Sequence, residues 1–408
     1  MRVVVAIDSF KGSLTSVEAG QTIKDGILRV ARETEVLVCP IADGGEGTVS
    51  ALVHGMNGVI RKTEVTGPLG EPVVAEWGIL DGKTAVIEMA AAAGLTLVEP
   101  AKRNPLYTTT YGVGELIGEA IRAGCRHFIV GIGGSATNDG GVGMLEALGF
   151  RFCDEAGCPI SRGAIGLASL RTIHYDNVNP QLKDCTFRIV CDVQNPLCGP
   201  NGCSYVFAPQ KGAGAGQVEE MDAWLRKYAQ IVGSQGDPEM PGAEKHGDPD
   251  MPGAEKLGES GKPSVGKRVD PDMPGAGAAG GLGFAFSAFT NAKLERGIDI
   301  IMDETGLEAK IRDADLVITG EGRIDEQTYM GKAPAGVAAL AGKYGKRVIA
   351  FCGCATEAAK DCRAHGIDAV YSTMPEGMSL EEAMEKTKAM ENLASKVEEV
   401  FSVCEISK

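Results

Sequence analysis

The chain opens with Met1-Arg2-Val3-Val4-Val5-Ala6-Ile7-Asp8-Ser9-Phe10-Lys11-Gly12-Ser13. Its apolar, β-branched first half is typical of a buried strand, and the polar second half is typical of a loop. Thr15 and Glu18 then have the spacing of a capping box, which predicts a helix through about Arg32. A strand, a polar loop and a helix in this order predict the first unit of a parallel α/β sheet.

The same alternation of strands and helices marks both ends of the chain. Strands are predicted at 36–41, 315–319, 347–352 and 368–371. The last helix is predicted to begin at Ser379, boxed by Glu382, with one apolar stripe made of Leu380, Met384, Met390, Leu393, Val397 and Phe401.

The middle of the chain has a different pattern. Residues 63–89 alternate between apolar and polar and contain Gly-Pro and Asp-Gly turns, which predicts an antiparallel meander. A helix at 108–124 and a strand at 127–132 follow, and further strands are predicted to end at 191–192 and near Phe207. We therefore expect an α/β fold in which 1–62 plus 293–408 form a discontinuous Rossmann-like, parallel-sheet domain. A second α/β domain, 63–292, is inserted into it, and the active-site cleft lies between them.

A direct repeat interrupts the inserted part. Gly236–Lys245 recurs almost unchanged as Gly247–Lys256, and a partial third copy starts at Asp270. So short a repeat, rich in proline and glycine, cannot bury a core of its own. It predicts a flexible loop over 236–275.

Composition restricts the classes of function. A chain of 408 residues is long enough for two domains, and its net charge of −15 opposes binding to nucleic acid or to an anionic membrane. No secretory signal and no apolar stretch long enough to span a bilayer is visible. The twelve cysteines are scattered, as is typical of a reducing compartment, so we expect a cytoplasmic protein.

Four predicted strands are followed by acidic or glycine-rich loops, which begin at Asp8, Asp43, Gly133 and Gly320. Strand-end loops of α/β proteins converge, so their polar residues can meet in one site. Any one of these loops alone is more simply a helix cap or a turn. Four together favour a site.

The loop Gly133–Gly141 is the best candidate for binding phosphate. Its glycines expose backbone N–H groups, and the helix that follows offers its positive end to an anion. It lacks the Gly-Lys-Ser/Thr ending of a P-loop. Asn138 and Asp139 have the side-chain oxygens that Mg²⁺ prefers, or they cap the helix.

Three cations, Lys11, Lys211 and Arg323, lie in polar or glycine-rich segments. A kinase acting on a carboxylate substrate needs such cations for the carboxylate and for the transferring phosphoryl group. Solvated surface residues are the plainer interpretation.

Gly275–Gly280 matches G-x-G-x-x-G, and Asp299 follows at the distance of a ribose-binding acid. Met273-Pro274 precedes the motif where a dinucleotide site needs a strand, which favours a glycine-rich helix start.

A nicotinamide-dependent oxidoreductase of a small hydroxy acid stays open as an alternative function. So does a non-catalytic protein that binds small acids.

Six ordered motifs between Met1 and about Cys354 together resemble the type 1 glycerate kinase family. They are Asp8–Ser13, Ala42–Thr48, Gly133–Gly141, Cys191–Leu197, Pro209–Ala213 and Thr319–Asp325. The resemblance implies ATP-dependent phosphorylation of glycerate, at the 2-hydroxyl, with Mg²⁺ or another divalent metal.

The candidate site residues fall into three groups. Those expected to take part in catalysis are Asp8, Lys11, Asp43, Asp192, Arg323 and Asp325. Those expected to bind ATP are Gly133, Gly134, Ser135, Thr137, Asn138 and Lys211. Asp139 and Glu321 are expected at the metal. The residues leave open which aspartate is the base and which hold the metal.

Overall fold

The computed structural model describes residues 1–42, 47–234, 269–326, 328 and 332–406. The strands are β1 (Arg2–Val5), β2 (Glu35–Val38), β3 (Val59–Thr66), β4 (Pro72–Leu80), β5 (Thr84–Glu88), β6 (His127–Gly131), β7 (Arg151–Cys153), β8 (Thr172–His174), β9 (Thr186–Val190), β10 (Ala292–Glu295), β11 (Leu316–Ile324), β12 (Arg347–Ala355) and β13 (Ala369–Ser372). The helices are α1 (Ser16–Val30), α2 (Thr48–Gly55), α3 (Ala90–Ala93), α4 (Tyr111–Arg122), α5 (Val142–Ala147), α6 (Cys203–Phe207), α7 (Ala215–Ser234), α8 (Ala278–Phe289), α9 (Gly297–Glu304), α10 (Leu307–Arg312), α11 (Ala333–Lys343), α12 (Leu380–Met384) and α13 (Lys386–Ile406).

The chain forms two compact units. The terminal unit comprises Met1–Arg61, Trp77–Gly82 and Glu295–Lys408, and the central unit comprises Lys62–Glu76 and Lys83–Leu294. The short segment Trp77–Gly82 groups with the terminal unit, although the sequence analysis assigned it to the inserted domain. Most of the predicted repeat loop, 236–275, lies outside the described residues.

A five-stranded parallel sheet forms the terminal unit, in the order β13-β12-β11-β1-β2. From β1 the chain moves to β2 on one side, whereas β11, β12 and β13 extend the sheet on the other. The point where the strand order reverses therefore lies between β1 and β11. In open α/β sheets the crevice at the carboxyl ends of the strands beside such a point is where ligands bind.

Two helices cover one face of this sheet. α1 begins at the predicted capping box, in which the Glu18 amide donates to Thr15 Oγ1 at 3.2 Å and the Thr15 amide donates to the Glu18 carboxylate at 3.0 Å. Apolar residues of α1 and α13, such as Ile23 and Val397, are fully buried in one cluster with Val5 of β1 and with residues of β11 and β12. Burying this stripe is what stabilises the two helices against the sheet.

The central unit contains a six-stranded sheet in the order β10-β9-β6-β5-β4-β3. Its inner strands β5, β6 and β9 run parallel, with Ile87 opposite Val130 and Val130 opposite Ile189. These strands are almost continuously apolar, as expected of parallel strands that are covered on both faces. None of the helices in the described part of the chain is long and apolar enough to cross a membrane.

Three predicted elements differ from the structure. The chain near Phe207 forms the short helix α6 and not a strand. The predicted helix from Ser379 is two helices, because Glu385 adopts an extended conformation (φ −60°, ψ 127°) between α12 and α13. The predicted loop at Gly320 continues β11 as far as Ile324, with Glu321 opposite Cys352 and Arg323 opposite Cys354.

Glycine explains the last of these differences. A Cβ atom on Gly320 would lie 1.9 Å from the carbonyl oxygen of Phe351, so only glycine lets the backbones of β11 and β12 approach here. The glycine that suggested a loop instead permits a close strand pairing.

Gly320→Ala should lower the free energy of unfolding by roughly 1–3 kcal/mol, because the added methyl group forces the two strands apart. Gly342→Ala is the matched control, since Gly342 lies in α11 with open space around its Cα. We expect that control to be neutral or slightly stabilising. Denaturant unfolding of both variants checks this, and equal stabilities would contradict the account of β11.

Candidate active site

A cavity of about 320 Å³ lies at the carboxyl ends of the terminal-unit strands. Asp8 follows β1, Gly322 belongs to β11, Gly353 to β12, and Thr373 follows β13. The cavity is therefore beside the reversal of strand order, where the fold itself favours ligand binding. All of its lining residues belong to the terminal unit.

Six of the residues that line this cavity are charged, and we call them the charged cluster. Three are acidic and three are basic: Asp8, Glu321 and Asp325, and Lys11, Arg323 and Lys332. The structure thus brings together in one cavity five residues that the sequence analysis named, from segments more than 300 positions apart. Lys332 was missed. Its position directly before a helix with proline near its start, and shortly after an acidic strand end, was the available signal.

Backbone pairing positions the first acidic residue of the cluster. The Asp8 amide donates to the Gly320 carbonyl at 2.9 Å, which continues the β1–β11 ladder past the end of β1. The Asp8 carboxylate accepts the Ser9 amide at 2.6 Å, and the residue is only 4% exposed. A Cβ atom on Gly322 would lie 3.2 Å from Phe10 Cα, so glycine here lets the Asp8–Lys11 segment lie close against β11.

Glu321 is the most constrained member of the charged cluster. The Thr328 hydroxyl donates to its Oε1 at 2.6 Å, and Lys332 Nζ lies 3.5 Å from its Oε2. Burial raises the pKa of Glu321, while the Thr328 hydrogen bond and Lys332 oppose that shift. Both oxygens already have protein partners, which favours a role in positioning Lys332 over a role as a principal metal ligand.

Two further members of the charged cluster, Arg323 and Asp325, lie nearer to solvent. Arg323 Nε is 3.6 Å from Asp325 Oδ2, and the Arg323 side chain is 67% exposed. A long, exposed guanidinium loses little free energy when it exchanges such a partner for an incoming anion.

Asp43 lies outside the described residues. Asp192 is exposed in the central unit, two residues beyond β9.

The loop Gly133–Gly141 lies in the central unit, and its second half is internal to the protein. Asp139 is 1% exposed, and its carboxylate accepts four hydrogen bonds, from the Thr110 amide and hydroxyl at 2.8 and 2.9 Å and from the amides of Gly141 and Gly143 at 3.0 and 3.3 Å. These contacts disfavour the expected binding of a phosphate at the start of α5. The amides there are already paired with the protein's own carboxylate. The four N–H and O–H donors around Asp139 favour a structural role for this carboxylate over the expected role at the metal.

Lys211 is buried and donates hydrogen bonds to the same loop. It is 2% exposed, and its Nζ donates to Ser135 Oγ at 2.8 Å and to the Thr137 carbonyl at 2.7 Å. Asn138 is also buried and donates to Ser204 Oγ at 2.9 Å. These contacts favour a supporting role for Lys211, Ser135, Thr137 and Asn138, whereas Gly133 and Gly134 are exposed and are open to a ligand.

The G-x-G-x-x-G segment also supports this loop. No strand precedes Gly275 among the described residues 269–274, and the Gly280 carbonyl accepts the Gly140 amide at 2.9 Å. A Cβ on Gly280 would lie 2.1 Å from the Thr137 carbonyl oxygen. The glycines at this start of α8 thus allow two backbone segments to pack, as the sequence analysis favoured. The dinucleotide interpretation therefore finds no support in the described residues.

Asp139→Asn should lower the free energy of unfolding by at least about 2 kcal/mol, because an amide nitrogen would face donors that need an acceptor. Asp176→Asn is the control, since that side chain is 74% exposed. A metal-ligand role predicts the reverse pattern: unchanged stability and a raised requirement for metal in an activity assay.

Burial lowers the pKa of Lys211 to about 8. Below pH 8 the Lys211 ammonium is charged in both states, and its burial lowers the free energy of unfolding. Between pH 8 and the unfolded-state pKa near 10.5 the folded protein has lost this proton and the unfolded chain still binds it, so the free energy of unfolding rises with pH. The unfolding free energy of the parent, minus that of Lys211→Met, should therefore rise by about 2 kcal/mol between pH 7 and pH 9.5. Subtracting the variant removes the titration of all other groups. A difference that does not change with pH would contradict the buried position.

Comparisons with known proteins cover almost the whole chain. The model of the glycerate kinase family matches residues 3–405. Glycerate 2-kinase of Escherichia coli K12 is 46% identical over 94% of this chain and 93% of its own length, and glycerate kinase of Bacillus subtilis is 44% identical over the same shares. The crystal structure of a protein described as glycerate kinase 2, from Salmonella typhimurium LT2, matches with a TM-score of 0.85 at 43% identity, covering 100% of this chain and 99% of the other. The chain therefore belongs to the glycerate kinase family.

Proposed function

We propose that this chain phosphorylates glycerate with ATP and that the acceptor is the 2-hydroxyl group. Its membership of the glycerate kinase family and its likeness to the E. coli protein named glycerate 2-kinase support the reaction and the hydroxyl. The single structural observation that carries the proposal is the charged cluster. Three cations and three carboxylates share one cavity at the reversal of strand order, and a kinase of a hydroxy acid needs both signs of charge there.

The cations have the task of binding negative charge. In phosphoryl transfer the charge spreads over the equatorial oxygens of the moving group, so fixed cations stabilise the transition state. Lys11 and Arg323 line the cavity with exposed side chains and are the groups that can contact the phosphoryl group or the carboxylate of glycerate. Lys332 is held by Glu321 and supplies a third, more rigid positive charge.

The carboxylates have the tasks of accepting the hydroxyl proton and holding Mg²⁺. Mg²⁺ usually keeps several waters and takes one or two protein carboxylates together with substrate phosphates. Asp8 and Asp325 line the same cavity and fit that limited demand. No cluster of three or more His, Cys, Asp or Glu side chains suited to a metal is found within the described ranges. When bound, Mg²⁺ supplies charge neutralisation at the phosphates.

In the central unit, Gly133 and Gly134 stay proposals as residues that bind phosphate. These residues are the exposed part of their loop, and Gly134 has a φ of 74°, a conformation that side chains disfavour. Backbone amides in such a turn can donate to phosphate oxygens. Ser135, Thr137, Asn138 and Lys211 keep the turn in place from the interior. Asp43 and Asp192 stay proposals as further catalytic residues.

Lys11→Met and Asp8→Asn should each lower kcat by at least about a hundredfold, the usual cost of one lost electrostatic contact at a transition state. The expected control is Lys343→Met, which removes a lysine that is 66% exposed in α11. A coupled assay of ADP release with glycerate measures all three variants, and circular dichroism reports the fold. Parent-like turnover of Lys11→Met would remove Lys11 from the site.

The reaction should require a divalent cation and should yield 2-phosphoglycerate. ADP release should stop when EDTA is added and return with Mg²⁺, and ³¹P and ¹³C NMR of the product should show the phosphate on C2. A phosphate on C3 would contradict the assigned hydroxyl but not the kinase. Tight glycerate binding without any ADP release would instead identify a non-catalytic binding protein.

A further inference from the structure

We propose that the apolar part of the terminal-unit cavity binds the adenine ring of the phosphoryl donor. Besides the charged cluster, the cavity is lined by apolar side chains that include Phe10, Met374, Leu380 and Met384. The inference rests on the proposed function only for the identity of the donor. It assigns the nucleotide base to the terminal unit, beside the charged cluster.

The chemistry of glycerate and of ATP indicates which of them binds the apolar part of the cavity. Glycerate carries an oxygen on each of its three carbons and has no apolar surface to bury. Adenine is a flat aromatic ring, and it is the only large unsaturated part of ATP. An apolar lining stabilises such a ring and gains nothing from glycerate.

Two of the apolar residues at the cavity are too exposed to be explained by packing in the core, whereas Phe10 belongs to the core cluster. Leu380 is 63% exposed and Met384 is 39% exposed, although both belong to the stripe that the sequence analysis assigned to one helix. The extended conformation of Glu385 separates α12 from α13, so Leu393 and Val397 enter the core whereas Leu380 and Met384 line the cavity. Methionine sulfur packs favourably against aromatic rings, and its flexible chain adapts to a ligand.

The layout of the sheet places part of the apolar lining away from the charged cluster, whereas Phe10 lies between Asp8 and Lys11 in the chain and Met384 packs against Gly12. The charged cluster comes from the ends of β1 and β11 and from the segment after β11, whereas Thr373 and Met374 follow β13. Because β13 is three strands from β1, these ends lie roughly 14 Å apart at the usual spacing. A nucleotide can span this distance with its base near β13 and its phosphates near the charged cluster.

A polar group is also available for the edge of the base. Asn392 of α13 lines the cavity, and its Nδ2 donates to Met378 Sδ at 3.4 Å. A thioether is a weak acceptor, so this amide loses little when it turns to the ring nitrogens of adenine. A single amide among apolar groups is the usual way in which a pocket orients a heteroaromatic ligand.

The test compares a nucleotide with a ligand that has phosphates but no base. Isothermal calorimetry measures the binding of the unreactive ATP analogue AMP-PCP and of inorganic tripolyphosphate, both with Mg²⁺ and without glycerate. The parent should bind AMP-PCP at least about tenfold more tightly, because stacking and burial of a base contribute that much or more. Ala383→Trp places an indole in the cavity and should remove most of this difference while the affinity for tripolyphosphate stays the same.

Two further variants keep the test decisive. Met390→Trp adds the same indole to α13 at an exposed position that faces a different surface pocket and should change neither affinity. Leu380→Glu alters a side chain too exposed to be needed for folding and should weaken AMP-PCP selectively by at least about threefold.

The inference is overturned if Ala383→Trp and Leu380→Glu leave AMP-PCP binding unchanged, or if they weaken tripolyphosphate equally. It is also overturned if the parent does not distinguish the two ligands. Binding is measured without turnover, so a base-dependent difference in a protein that does not phosphorylate glycerate would sink the proposed function and keep this inference. If the Ala383→Trp and Leu380→Glu variants phosphorylate glycerate and show only a raised KM for glycerate, the proposed function stands and this inference is overturned.

Discussion

The parallel pairing of β1 with β11 connects the beginning of the chain to a segment more than 300 residues later, and the site depends on it. Val3 to Val5 pair with Leu316 to Ile318, and the ladder continues through the Ala6 and Asp8 amides, which donate to Ile318 and Gly320. Because β1 leads to β2 on one side and β11 leads to β12 on the other, a crevice opens between their ends. Every member of the charged cluster lies within, or close to, the segments that these two strands position.

Glycines set how closely these segments approach. Gly320 lets β11 remain paired with β12 beyond the point where a side chain would collide, and Gly322 leaves room for the Asp8–Lys11 segment. The consequence is that Glu321 and Arg323 project from a strand and not from a loop. Hydrogen-bonded strand positions hold charged groups more firmly than loops do, which suits chemistry that depends on positioning.

The sequence was sufficient for the features that local rules determine. The Thr15–Glu18 box predicted the start of α1, and the apolar runs predicted the strands of the parallel sheet, because caps and periodicity act over a few residues. The match to the glycerate kinase family model and the likeness to a solved structure confirm the predicted family and α/β fold. The predicted boundaries of the domains and the cleft between them stay predictions.

Other features depended on contacts between distant residues. The sequence could not show that Asp139 would meet Thr110, or that Lys211 would be buried beneath Ser135, since both pairs form only in the folded chain. An acidic residue in a glycine-rich loop has the same local signature whether it serves a ligand or the loop itself. The break at Glu385 was equally hidden, because the residues around it continue a helical apolar stripe.

The central claim is that phosphoryl transfer takes place at the charged cluster of the terminal unit. A crystal structure of the chain with AMP-PCP, Mg²⁺ and glycerate tests it most directly. The account predicts the γ-phosphate within hydrogen-bond distance of Lys11 or Arg323 and the adenine against Leu380 and Met384. A nucleotide bound along Gly275–Gly281, with the charged cluster contacting neither substrate, would contradict it.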